Sequence, residues 1–221
     1  METFLSDGWI VVRAIIDTNV RMTLSAIAIA LPIACLFAVG RLSHSPFVYY
    51  PVTAYVNVLR SIPLLMIMFW AYYIGPMLTG RPSSAYLAAM LALAAFEIAY
   101  FTEIIRTGLQ SVASGQRRAA LATGLTRAQT MRFVIMPQAL QRMVPSLLSQ
   151  SIIAFQDSTI ASVLGVSEAL HVTTIVVARE QRTIQLYSIL AVTFLVICYC
   201  ASRIVRMLER RMQSRIGTSG G

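Results

Sequence analysis

The chain has 221 residues, of which 57% are hydrophobic and only 12% charged, and its mean hydropathy is +0.70. A soluble domain carries about 25% charged residues, so a single aqueous core is excluded and a polytopic membrane protein is expected. The net charge of +9 rests on arginine alone, because the sequence has no lysine; a P-loop, whose lysine reaches the phosphates, is excluded with it.

The start, METFLSDG, lacks the basic region of a cleavable signal, so no cleaved leader is expected. Residues 9–17, WIVVRAIID, form a short apolar patch that either lies at the interface, where Trp9 fits, or extends the first span. Residues 20–40 are that span, with Pro32 inside it; a proline is tolerated there within a bundle. Residues 41–50 read as a turn-rich connection, with Ser45-Pro46 followed by Pro51.

Residues 54–78, AYVNVLRSIPLLMIMFWAYYIGPML, are long enough for a second span. Arg60 near its start reads either as a snorkelling end residue or, with Pro63, as part of a broken helix. Residues 80–83 are a turn. Residues 85–106 form a third span whose alanines (88, 89, 92, 94, 95, 99) offer a close-packing surface. Glu103 and Arg106 are spaced to pair on one helix face. Glu97 has no such local partner, and a lone acid inside a span marks a pathway or a cross-helix contact.

The stretch from Arg118 to Pro137, RAALATGLTRAQTMRFVIMP, is polar and basic between apolar runs. Its helix formers end at Gly124, which can adopt a left-handed conformation. Thr126 and Gln129 have capping-box spacing for a second helix, and Pro137 suits the first turn of the next. The pattern also resembles a helix-turn-helix for DNA. A recognition helix tethered to membrane spans on both sides cannot enter a major groove, so no nucleic-acid partner is expected.

Residues 138–166 are a fourth, less apolar span carrying the cluster FQDSTI, with Gln156, Asp157, Ser158 and Thr159. Such a face must look at a cavity or a neighbouring helix rather than lipid. Residues 168–185 read as a polar loop and 186–202 as the last span, followed by Arg203, Arg206, Arg210, Arg211 and Arg215; a disordered tail is expected over 216–221. Cys35, Cys198 and Cys200 lie in apolar runs, and the last two point to different helix faces, so no bridge is expected. His44 and His171 are too far apart for a metal site. Arginine is concentrated on the side of Arg41, the 118–137 stretch and the C-terminus, which the positive-inside rule places in the cytoplasm; the N-terminus is then outside.

The 118–137 stretch resembles the EAA loop of ABC-importer permeases. Arg118, Ala119, Ala120, Gly124, Val134, Met136 and Pro137 fall on that motif, with Arg118 in place of glutamate, Val134 of isoleucine and Met136 of leucine. RSIPLL resembles the Arg-Gly-Thr-Pro-Leu-Leu signature of polar amino-acid permeases. Across nearly the whole chain the sequence is similar to the histidine/glutamine permease group, with AYVNVLRSIPL, AYFTEIIRTGLQS and FQDSTI nearest the glutamate/aspartate members. The resemblance implies an all-α helical bundle of about five transmembrane helices, a type I ABC importer fold in one domain over 1–221, with the cytoplasmic coupling segment at 107–137. It implies a bacterial inner membrane and a second permease subunit, identical or a sister. It further implies two ATPase subunits that hold ATP and Mg, a periplasmic substrate-binding protein, and no cofactor on this chain. Alternating access driven by those ATPases is the implied mechanism.

An amino-acid cargo needs its charges paired inside the membrane. Glu97 and Asp157 are the candidates for its ammonium, and Arg60, Gln156, Ser158 and Thr159 for carboxylates. Where many polar amino-acid permeases carry lysine just before the aspartate of FQDSTI, this chain has Gln156, as the glutamate/aspartate-like members do. Glutamine, histidine and arginine are the alternative cargoes. An intramembrane enzyme using Ser158 would lack a histidine or lysine base nearby, and a passive channel would not need an ATPase dock.

Overall fold

The computed structural model describes residues 2–80, 82 and 84–217. All regular elements among them are helical. The first helix is continuous: α1 (Glu2–Ala14), a π-turn (Ile15–Val20) and α2 (Arg21–Gly40). The patch at 9–17 therefore extends the first span. The apolar stretch Gly8–Gly40 is 33 residues long, about 50 Å at the standard rise against a hydrocarbon layer of about 30 Å.

Met22, Ala26, Ala30, Ala34 and Ala38 recur every four residues on α2, and all are fully buried. This spacing makes one stripe along a helix. The stripe lies on α5 (Ala85–Gln110), against Ala89, Ala92 and Leu93 towards one end and Ile98, Phe101 and Ile105 towards the other. Lipid tails are as apolar as these side chains, so the pair is held by close van der Waals fit, which small residues permit. α5 is the central post. It also supports α3 (Pro46–Ser61), α4 (Leu64–Thr79) and α8 (Met136–Asp157). At Gly108 of α5 an added Cβ would come within 2.7 Å of Met143 Cβ on α8.

The expected second span is not one rod. α3 and α4 meet at 108°. Ile62 is extended (φ −105°, ψ 135°), as a residue before proline prefers to be, and Pro63 opens α4. Ser61 Oγ donates back to the Asn57 carbonyl at 2.8 Å, folding its hydroxyl onto the last turn of α3. The connection expected over 41–50 shrinks to Arg41–Ser45, because Pro46 sits in the first turn of α3, where its missing N–H is no loss. Gly80 closes α4 in a left-handed conformation (φ 66°); Arg81, in the expected turn, lies outside the described residues.

After α5 come α6 (Ser114–Ala122), a single turn α7 (Arg127–Gln129), a second π-turn (Thr130–Ile135) and α8. α8 passes at Ser158 into a 3-10 helix (Ser158–Leu164) that ends at left-handed Gly165. The expected polar loop 168–185 is mostly helix. Glu168 accepts hydrogen bonds from the first amides of α9 (Ala169–Glu180), and left-handed Gln181 closes it. α9 turns by 51° from the α8 direction and packs on α1. α10 (Thr183–Gly217) contains the expected last span and carries the arginines beyond it in the same helix. Residues 216 and 217, expected to be disordered, belong to α10; residues 218–221 lie outside the described residues. Among the described residues three helices are long and apolar enough to cross a bilayer, and up to five spans result if each bent pair is one.

The α5–α8 approach gives the first test. Gly108→Ala should force α8 outward and destabilise the purified protein by about 1–3 kcal/mol, the usual range for overpacking. A thermal melt in detergent would show a lowered transition; an unchanged one would contradict the close packing at Gly108.

Candidate functional site

Two regions carry the residues singled out in the sequence. The first is the connector between α5 and α8. α6 ends in a Schellman closure: Gly124 N donates to the Leu121 carbonyl at 3.1 Å, and Leu125 N to the Ala120 carbonyl at 3.3 Å. Gly124 has φ +89° and nothing within 4 Å of a built Cβ, so the backbone angle, not space, calls for glycine. Thr126 and Gln129 form the full capping box, with Gln129 N donating to Thr126 Oγ1 and Thr126 N to Gln129 Oε1 at 2.9 Å. The two short helices therefore hold a fixed angle.

On this connector Arg118, Ala119, Gly124 and Pro137 are exposed, Val134 and Met136 are half-buried, and Ala120 is buried. Arg118 forms no ion pair among the described residues and donates only to Ser114 Oγ at 3.5 Å. Sequence reading passed over Phe133, which is 63% exposed beside exposed Leu121 and Met131. A large aromatic next to Arg132 in an otherwise polar connector was the available signal. Arg142 of α8 donates to the Ser111 carbonyl, tying the connector's entrance to the bundle.

The second region is the point where α8 changes to 3-10 helix, about 33 Å along the helix from Met136. Its four polar residues look in different directions. Gln156 and Thr159 line a groove of about 830 Å³ whose other wall is α10, with Tyr187, Tyr199, Ser202 and Arg206. Ser158 is fully buried and accepts from Asn19 Nδ2 at 2.9 Å while donating to the Phe155 carbonyl at 2.7 Å. It does not line this groove, and its hydroxyl is committed inside the bundle. Asp157 is half-buried, makes no hydrogen bond among the described residues, and lies near Glu97 of α5.

Glu97 is fully buried. Gln150 of α8 donates to its Oε1 at 3.2 Å, and its Oε2 has no partner. Arg60 is elsewhere. It stands exposed at the α3–α4 break with its guanidinium 5.2 Å from the Tyr100 ring centroid, and it does not line the groove. Close by, the expected Glu103–Arg106 pair is present at 2.5 Å, and Glu103 also takes Arg41, just beyond the end of α2, at 2.7 Å. The six residues read as one pathway thus divide into Gln156 and Thr159 on the groove, the Glu97–Asp157 pair, Arg60 at the break, and Ser158 buried within the bundle. No group of three or more metal-ligating side chains occurs among the described residues.

A bundle of apolar helices, two of its spans broken, with a rigid exposed connector between spans, is the architecture of a membrane transport subunit. Residues 14–214 match the family described as binding-protein-dependent transport system inner membrane component, and the chain belongs to that family. Glutamate/aspartate import permease protein GltK of Escherichia coli O6:H1 is 36% identical over 215 residues, 94% of this chain and 93% of that protein. Glutamine transport system permease protein GlnP of Escherichia coli K12 is 35% identical over 160 residues, 72% of this chain and 73% of that protein. A crystal structure of an amino acid ABC transporter with histidines superposes at TM-score 0.89 with 30% identity, covering 95% of this chain and 97% of that one. The MetNI methionine ABC transporter in an inward-facing form shares the fold at TM-score 0.66 and 22% identity, over 90% of this chain and 96% of that one. The chain is a permease subunit of an amino-acid ABC importer, not an enzyme, and ATP hydrolysis belongs to a separate ATPase.

The left-handed angle at Gly124 makes that position testable in isolation. Gly124→Val should add about 1–3 kcal/mol of local strain. Membrane insertion should persist while amide exchange over residues 121–127 quickens; unchanged exchange there would show that the turn does not need glycine.

Proposed function

We propose that this permease carries glutamate or aspartate inward, with the 118–137 connector docked on its ATPase. The extent of the likeness to GltK, 36% over 94% of the chain, carries the cargo reading, and Gln156 before Asp157 agrees with it. Glutamine is the second reading, favoured by the likeness to GlnP and by Arg60 standing away from the groove.

The Glu97–Asp157 pair supports a role in holding the cargo's ammonium. Two neighbouring carboxyl groups, one on α5 and one on α8, stand without a cation among the described residues, and one has an unpartnered oxygen; either can carry a buried charge at acceptable cost only beside a cation. An amino acid's ammonium supplies it from the half-exposed Asp157 side. Gln156 and Thr159 then offer neutral donors to a carboxylate. On the connector, exposed Phe133 and Leu121 beside Ala119 suit a shallow groove on the motor subunit, with Gly124 fixing the angle through which its movement is passed to α8. Two permease subunits, identical or sister chains, two ATPases holding ATP and Mg, and a periplasmic binding protein complete the assembly in this reading. The arginine distribution sets the connector and the C-terminus in the cytoplasm and the N-terminus outside.

Uptake by the reconstituted complex with its own binding protein should favour glutamate and aspartate over glutamine, histidine and arginine. Asp157→Asn should reduce uptake at least about tenfold, as loss of a charge-assisted contact implies, with ATPase assembly intact. Preferred uptake of arginine would overturn the cargo, and normal uptake by Asp157→Asn would remove Asp157 from the pathway. Reporter fusions after Gln181 should read as periplasmic and those after Gly115 as cytoplasmic; the reverse would invert the topology.

A further inference from the structure

The π-turn Ile15–Val20 lies where the first helix changes partners. Before it α1 packs on α9 and α10; after it α2 packs on α5. Asn19, fully buried in this turn, spends its whole amide on contacts far along the chain. Its Nδ2 donates to Ser158 Oγ at 2.9 Å and to Glu168 Oε2 at 3.2 Å, and its Oδ1 accepts from Ala169 N at 3.1 Å. Glu168, also fully buried, accepts from Leu170 N at 2.9 Å and His171 N at 2.7 Å, so the same carboxylate starts α9. Thr18 adds a second tie, its Oγ1 donating to the Ser167 carbonyl at 3.1 Å. Thr23 Oγ1 donates to the Asn19 carbonyl at 2.8 Å, occupying an acceptor at the irregular turn.

We propose that Asn19 is a positioning residue for transport. It locks α1, the 3-10 segment at Ser158 and α9 into one body, and so fixes the directions in which Gln156, Asp157 and Thr159 point. Ser158 is the hub of those directions, because its neighbours on either side are the residues that face the groove and Glu97. A fully satisfied buried network has one low-energy arrangement, whereas a half-satisfied one does not. The lock therefore holds while other helices move past it. This inference rests on the reading of the Gln156–Thr159 segment as part of the cargo pathway.

The test uses the whole complex in proteoliposomes, with its ATPase and binding protein, and reads cargo moved per ATP hydrolysed. Asn19→Ala should lower that ratio about tenfold, since displacement of a positioned group by about 1 Å can lose more than this. Binding-protein-stimulated ATPase activity should stay within about twofold, on the expectation that the ATPase dock is independent of a distant site. A purely structural loss would instead lower assembly, ATPase activity and uptake together. In a background with Cys35, Cys198 and Cys200 replaced, Thr18→Cys with Ser167→Cys, closed by a short bis-methanethiosulfonate that forms a disulfide to each thiol and releases methanesulfinate, should leave uptake intact and should rescue Asn19→Ala.

An unchanged cargo-to-ATP ratio in Asn19→Ala overturns the proposal, as does a cross-link that stops uptake in the otherwise unaltered protein, because α1 and α9 must then separate. Should Asn19→Ala fail to assemble, the cross-linked form with Asn19 intact decides. Failure of the cargo reading appears earlier, in the unaltered complex, as preference for another amino acid. Failure of the pathway reading appears as normal uptake by Asp157→Asn, whereas the cross-link still reports on the rigid body.

Discussion

The close approach of α2 to α5 is the contact on which the remainder of the bundle rests. In hydrocarbon no solvent squeezes helices together, so their adhesion depends on how near the backbones can come. The four alanines spaced along α2 and the alanine-rich flank of α5 meet that need along almost the whole of both helices. With this pair fixed, α5 can present its other sides to α3, α4 and α8. Gly108 extends the same logic by letting α8 approach at a point where even a methyl group would collide.

Against this rigid centre the irregular backbone falls at defined places. Groups freed from a helix in a membrane must find protein partners. Ser61 at the α3–α4 corner, Ser158 at the end of α8 and Thr23 after the first π-turn each donate back to a carbonyl three or four residues earlier, so their hydroxyls are satisfied within the protein. The polar residues of FQDSTI therefore do two jobs. Ser158 knits the backbone, while its neighbours remain available to a ligand. Glu97 behaves similarly: one oxygen holds α8 through Gln150, and the other is uncommitted.

Much of this was legible in the chain itself. Hydropathy located the spans, Gly124 and the Thr126–Gln129 pair gave the connector's turn, and both signals are local, so they survive folding. Pro63 announced the corner in the second span, although its 108° angle is set by packing on α5 rather than by sequence. The helix α9 was hidden because Glu168, read as a loop charge, is in fact the cap that begins it. Asn19 was hidden for a different reason. Its partners lie 139 to 150 positions away, and nothing in the local sequence marks a π-turn. Arg60 and Gln156 stand at different places in the bundle, which the sequence could not show because a shared polarity says nothing about which groove a side chain lines.

Both π-turns sit at joints, one between α1 and α2 and the other between the connector and α8. A π-turn is in effect one extra residue accommodated within an α-helix. Residues on the two sides are thereby rotated by about 100° relative to an uninterrupted helix. Straightening Ile15–Val20 into a regular helix with all its residues kept would swing Val11 away from its buried seat, whereas deleting one residue there would close the wide turn and leave that seat in place. Relatives of different length can thus share this bundle only if insertions and deletions arrive with the appropriate phase, and the wide turns record where such a phase has been absorbed.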